Sequence, residues 1–117
     1  MDPVKWGPHG WYFIQACIVH MPENADPSDY VNFLYSLRNV LPCGMCRENY
    51  SKYLDNNPVP TSREGMIQWV TDLQNSIRIK SGKIPRSARE VEEFYTKEMN
   101  IIPFLIIAGA IALLFLR

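Results

Sequence analysis

An all-α fold, a four-helix bundle with a short fifth helix, is predicted by three observations. Apolar residues recur at three- and four-residue intervals along most of the chain, and no stretch alternates with the period of two that a half-buried strand needs. The repeating stretches are joined by short connections rich in Pro, Asn and Gly, as in a compact bundle. The chain has 117 residues, 47% of them hydrophobic, and its 12 Lys and Arg balance 12 Asp and Glu. That length suits one small domain with an appendage. Zero net charge, with both signs interspersed, removes the usual reason to expect a nucleic-acid surface. There is no internal repeat and no low-complexity segment.

The first helix, about 8–20, is nearly all apolar, with Trp11, Phe13, Ile14, Ile18 and Val19, and is expected to be central. It carries Cys17, expected as an inert buried thiol, and ends near His20 and Pro22. Asp26-Pro27 is an N-cap followed by Pro at the first helical position. The stripe Tyr30, Phe33, Leu34, Leu37 and Leu41 then defines a second helix over about 27–41. A third follows Cys43-Gly44-Met45-Cys46, turns Tyr50, Tyr53 and Leu54 inward, and stops at Asn56-Asn57-Pro58. Thr61-Ser62-Arg63-Glu64 reads as a capping box opening a long fourth helix, about 62–81, with Met66, Trp69, Val70, Leu73 and Ile77 on one side until Gly82. Ser87-Ala88-Arg89-Glu90 opens the fifth, with Val91, Phe94 and Tyr95 on one side.

The carboxyl end departs from this pattern. Residues 101–116 contain no charged or polar side chain, and Arg117 closes the run. As a helix these residues extend roughly 24 Å against a hydrocarbon core of about 30 Å, with Met99, Lys97 and Arg117 available to lengthen the match. A run apolar on every face, at the end of the sequence, is read as a membrane anchor over 99–117, following a domain over 1–98. At the amino end no basic segment precedes an apolar run, so the domain is expected to face the cytosol.

Cys43 and Cys46 carry the chemistry. The first turn of a helix brings residues i and i+3 within disulfide distance, so the pair can form and break a bond without moving the backbone. Helix-start amides favour a thiolate on the first cysteine. Zinc would want four ligands, and only Cys17, His9 and His20 lie outside the pair, so no metal is expected. A stapling disulfide over so short a loop would remove little entropy from the unfolded chain. The motif alone leaves several redox families open, although the thioredoxin arrangement needs a preceding strand that is not present here. A dithiol that takes electrons from other thiols must pass them on, which a flavin beside the motif could do.

Trp6-Gly7-Pro8-His9-Gly10-Trp11, Leu41-Pro42-Cys43-Gly44-Met45-Cys46-Arg47 with Lys52-Tyr53-Leu54 and Asn57-Pro58, then Ser62-Arg63-Glu64 with Trp69 and Leu73-Gln74-Asn75, resemble in order and spacing the Erv/ALR family of FAD-linked sulfhydryl oxidases. The resemblance covers about residues 5–97. It implies FAD at the mouth of the bundle, Cys43 as the sulfur exposed to substrate and Cys46 as the flavin-proximal one. Electrons would run from a thiol-containing protein, or a small dithiol carrier, through the cysteine pair and FAD to oxygen, giving a disulfide and hydrogen peroxide. Gly7 and Trp11 match first-helix residues bordering FAD. Asn75, Ile77, Lys80 and Lys83 match a segment contacting its adenine, ribose and diphosphate. Gln15, Gln74 and Arg78 stand where the family has two histidines and an asparagine, and the glutamines keep hydrogen-bonding capacity without charge. Relatives dimerise, and minimal versions of the fold are typical of large DNA viruses. A homodimer on a virion or host intracellular membrane is therefore expected. The alternatives are a tail-anchored helical interaction module that has lost FAD, and a flavin-free dithiol isomerase.

Overall fold

A computed structural model describes residues 1–97 and Gly109, and every regular element among them is helical. The helices are α1 (Pro3–Val19), α2 (Pro27–Val40), α3 (Gly44–Asn56), α4 (Arg63–Lys80) and α5 (88–97). The proposed anchor over 99–117 lies, apart from Gly109, outside the described residues. Among the described residues no helix is long and apolar enough to cross a membrane.

Local chemistry explains the boundaries. α1 starts at Pro3, well before the expected residue 8, because Asp2 is its N-cap and accepts the Val4 N–H at 2.9 Å, with Pro3 at the first position. Asp26 and Pro27 repeat the device in α2, where Asp26 accepts the Ser28 N–H at 3.0 Å. Ser62 caps α4 by accepting the Gly65 N–H at 3.0 Å, so Glu64 falls one residue short of the reciprocal position of a capping box. The far end of α4 closes through Gly82 at φ 74°, with Gly82 N–H donating to Ile79 O and Lys83 N–H to Arg78 O. That pair of bonds satisfies terminal carbonyls and requires a left-handed residue, which glycine adopts freely. Ser87 caps α5 through the Glu90 N–H at 3.1 Å.

Helix α1 packs on α4 and α2 on α3, and the buried faces merge into one core around Ile18, Leu34, Leu54, Met66 and Val70. Burying a side chain such as Leu34 contributes about 1.5–3 kcal/mol. Two polar groups of the core aromatics are paired: Tyr50 Oη donates to Leu34 O, and Trp69 Nε1 donates to Asn57 O at 2.8 Å. Arg63 joins three helices, donating twice to Val19 O at the end of α1 and once to Glu92 on α5.

Two expectations are corrected. α1 is not enclosed: Ile14, Gln15, Ile18 and Val19 are buried, but Tyr12 and Phe13 are 45% and 62% exposed, because a single layer of neighbours covers only one side of the helix. On α5 the buried pair is Val91 and Tyr95, four residues apart, and Phe94 between them faces outward.

Candidate active site and cofactor cavity

Cys43 is the N-cap of α3, in extended backbone, and its Sγ accepts the Cys46 N–H at 3.2 Å. The thiol therefore occupies the position that a serine or aspartate oxygen usually fills at a helix start. Arg47, one residue on, donates from Nη1 to Leu41 O at 2.5 Å and so fixes the segment between α2 and α3. The Tyr50 bond to Leu34 O makes a second tie between these helices, one turn further along. The cysteines are thus held at a rigid corner of the bundle.

The two sulfurs are electrostatically unequal. Hydrogen bonds from the Cys46 thiol and the Cys46 N–H pull the Cys43 thiol below its ordinary range. Burial, then the Cys43 sulfur beside it, pushes Cys46 up to about 11. In the reduced pair Cys43 is therefore the readier of the two to ionise, and Cys46 holds its proton more tightly. Cys17 is set apart from them on α1, half-buried, with its thiol raised by burial.

Beside the pair is a cavity of about 610 Å³ between α1, α2, α3 and α4. Cys46 is part of its wall, and Trp11, Leu37, Tyr53, Trp69 and Leu73 give it mostly apolar, aromatic sides. Lys52, Lys80, Ser76 and Ser81 supply cations and hydroxyls. A flat aromatic group with an anionic tail matches that distribution.

Of the residues expected at a site, Gly7, Trp11, Cys46, Ile77 and Lys80 all line this cavity. Cys43 does not; it is only 9% exposed and set back beside Cys46, whereas Pro42, Gly44 and Met45 around it are exposed. The open presentation to solvent expected of Cys43 is therefore reduced, because its sulfur is drawn in to cap α3. Gln15 and Gln74 also lie off the cavity. Gln15, 3% exposed, donates to Gln74 Oε1 at 2.6 Å and accepts from Tyr95 Oη at 2.7 Å, forming a buried chain that links α1, α4 and α5. Asn75 exchanges two hydrogen bonds with the Arg86 backbone, and Arg78 donates to Ile84 O. These two brace the 81–87 connection; Lys83 within it is exposed. Among the described residues no cluster of His, Cys, Asp and Glu could hold a metal. Trp6, Asn49 and Asn57 also line the cavity, outside the residues expected from the sequence. Trp6 was detectable, since Pro3, Trp6, Gly7 and Trp11 fall on one helical stripe once α1 is started at Pro3.

The model of the Erv1 / Alr family matches residues 8–96. A probable FAD-linked sulfhydryl oxidase of Acanthamoeba polyphaga mimivirus is 36% identical, over 82% of this chain and 75% of its own length. The mitochondrial FAD-linked sulfhydryl oxidase erv1 of Schizosaccharomyces pombe is 30% identical over 70% of this chain, which spans about half of that relative, 48%. Among solved structures, the FAD-binding domain of Erv1 from Saccharomyces cerevisiae superposes with a TM-score of 0.73 at 21% identity, covering 83% of this chain and 96% of that one. A double cysteine mutant of the same yeast protein gives 0.73 at 19% identity, covering 83% and 86%.

Proposed function

The chain belongs to the Erv1 / Alr family, and from that membership and the cavity geometry we infer that it is an FAD-linked thiol oxidase that makes disulfides in other molecules. The observation that carries this reading is the placement of Cys46 in the wall of the 610 Å³ cavity with the lower-pKa Cys43 hydrogen-bonded behind it. The cavity suits FAD: aromatic walls for the flavin rings, and Lys80 with Lys52 and two serines for the diphosphate. Gly7, Trp11, Ile77 and Lys80 are the residues assigned to hold it. FAD bound there supplies a two-electron acceptor that oxygen can reoxidise, with hydrogen peroxide as product.

The protein's own steps follow from its two sulfurs. In the oxidised pair a substrate thiolate attacks Cys43 Sγ, forming a mixed disulfide as the Cys43–Cys46 bond breaks and Cys46 leaves to take up a proton. A second substrate thiol attacks the substrate sulfur of that mixed disulfide, closing the new disulfide and releasing Cys43. Its lowered pKa makes Cys43 a good leaving group, stabilised by the Cys46 N–H. The reduced pair, left as Cys43 thiolate and Cys46 thiol, then loses two electrons and one proton to regenerate its disulfide. Cys46, from the cavity wall, is the exit for the electrons, and Cys43 lies close enough to receive its proton.

The module without FAD is not favoured. Gln15, Gln74 and Arg78, the departures that motivated it, lie off the cavity and leave it open.

Further parts of the reading are proposals. The oxidase domain is assigned to 1–98, with 99–117 as a tail anchor, supported by the uninterrupted apolar run 101–116. The domain then faces the cytosol at a virion or host intracellular membrane, which kinship with a mimivirus protein supports. A homodimer is supported by the exposed aromatic face of α1, where Phe13 meets Phe33 edge to face. Substrates are thiol-containing proteins or a small dithiol carrier. The test is purification of the full chain. A yellow protein releasing stoichiometric FAD on heating and consuming oxygen when given dithiol is expected; a folded, colourless protein contradicts the reading.

A further inference from the structure

Trp6 lies on the same stripe of α1 as Pro3, Gly7 and Trp11, and all four border the cavity that Cys46 walls. Its ring is laid across Gly10: a Cβ at that position would meet Trp6 Cε3 at 2.8 Å and Cζ3 at 2.9 Å, so the absence of a side chain there is what admits the indole. The ring thereby lies close against its own helix. Its Nε1 is buried, and among the described residues it is the one buried side-chain nitrogen or oxygen without a hydrogen-bond partner.

Folded proteins pair the large majority of buried polar side-chain atoms, and indole has a donor and no acceptor with which to compensate. Trp69 shows the ordinary arrangement in this same chain, its Nε1 bonded to Asn57 O at 2.8 Å. An unpaired donor on a wall residue of a cavity that otherwise suits a flavin nucleotide calls for an acceptor from the ligand. FAD is rich in such acceptors, in its ring carbonyls and nitrogens, its hydroxyls and its phosphate oxygens. We propose that Trp6 is a cofactor-binding residue of this chain, its indole N–H donating a hydrogen bond to FAD. This rests on the assignment of the cavity to FAD.

The test uses the full chain labelled with nitrogen-15, compared with FAD bound and after FAD has been stripped. The three tryptophans give three indole N–H resonances, and the one missing from Trp6→Phe identifies Trp6. On FAD binding that resonance is expected to move downfield and exchange more slowly with water. Trp6→Phe, which keeps an aromatic ring and loses only the donor side, is expected to weaken FAD binding about tenfold, with its far-UV circular dichroism unchanged. An indole resonance that does not respond to FAD, or a Trp6→Phe protein with unaltered FAD affinity, overturns the proposal while leaving the oxidase reading in place. A wild-type chain that binds no FAD overturns the oxidase reading, and this proposal with it.

Discussion

Replacing Tyr95 by Phe removes one oxygen from the buried chain Tyr95–Gln15–Gln74, and the consequence can be worked from the contacts. The hydroxyl donates to Gln15 Oε1 at 2.7 Å, and neither residue is accessible enough for bulk water to take its place. Gln15 is then left with a buried acceptor unsatisfied, at a cost of about 1–3 kcal/mol. For a domain of this size each kcal/mol lowers the melting temperature by about 4–8 °C, so a fall on the order of 10 °C is expected in thermal unfolding followed by circular dichroism. The measurement belongs on FAD-free protein. There the two glutamines act by docking α5 onto α1 and α4, whereas residues that served only to hold the cofactor would leave that protein's stability untouched. Adding Gln15→Met to Tyr95→Phe is expected to recover part of the loss, because the buried Gln15 acceptor is gone and the Gln74 Oε1 that loses its donor belongs to a half-buried residue. A Tyr95→Phe melting temperature indistinguishable from wild type would refute the structural role given to the network.

Iodoacetamide labelling of the reduced protein, followed by mass spectrometry across pH, is expected to modify Cys43 first, with a midpoint below the ordinary thiol value of 9.0. Labelling of Cys46 should rise only near about 11. The sign follows from the thiolate: a lowered pKa leaves Cys43 more ionised than an ordinary thiol at any given pH, with reactivity lost as pH falls through that pKa, and a raised one keeps Cys46 protonated until strong base. Equal labelling of both at neutral pH would contradict the inequality. Arg63→Ala should destabilise by about 1.5–3 kcal/mol in chemical denaturation, chiefly through the two lost bonds to Val19 O, the half-exposed Glu92 pair adding little. Arg63→Lys should recover only a fraction, since an ammonium cannot make the forked contact.

Much of the fold was legible because its signals are local. Asp26-Pro27, Ser62, Ser87 and Gly82 each do at a helix end what their side chains or backbone freedom favour. The same reasoning applies to Asp2-Pro3, which opens α1 ahead of residue 8 and adds the cavity stripe from Pro3 to Trp11. The helix-start corner that holds Cys43 and Cys46 could also be read in advance, since the two lie three residues apart, and Gly7, Trp11, Ile77 and Lys80 line one cavity. What could not be read was tertiary. Gln15 and Gln74 are 59 residues apart and meet only because α1 packs on α4, and no periodicity announces that Tyr95 completes them. Asn75 and Arg78 carry cofactor-like chemistry in their side chains, yet they are turned to the 81–87 connection by partners that sequence spacing does not reveal.

Anaerobic mixing of FAD-loaded protein with excess dithiol, with visible flavin absorbance as the readout, measures directly whether electrons leave the sulfur pair through Cys46. Wild-type flavin is expected to bleach rapidly, and Cys46→Ser flavin to remain yellow over the same time while its Cys43 still reacts with thiol reagents. Bleaching of Cys46→Ser at the wild-type rate would contradict the account.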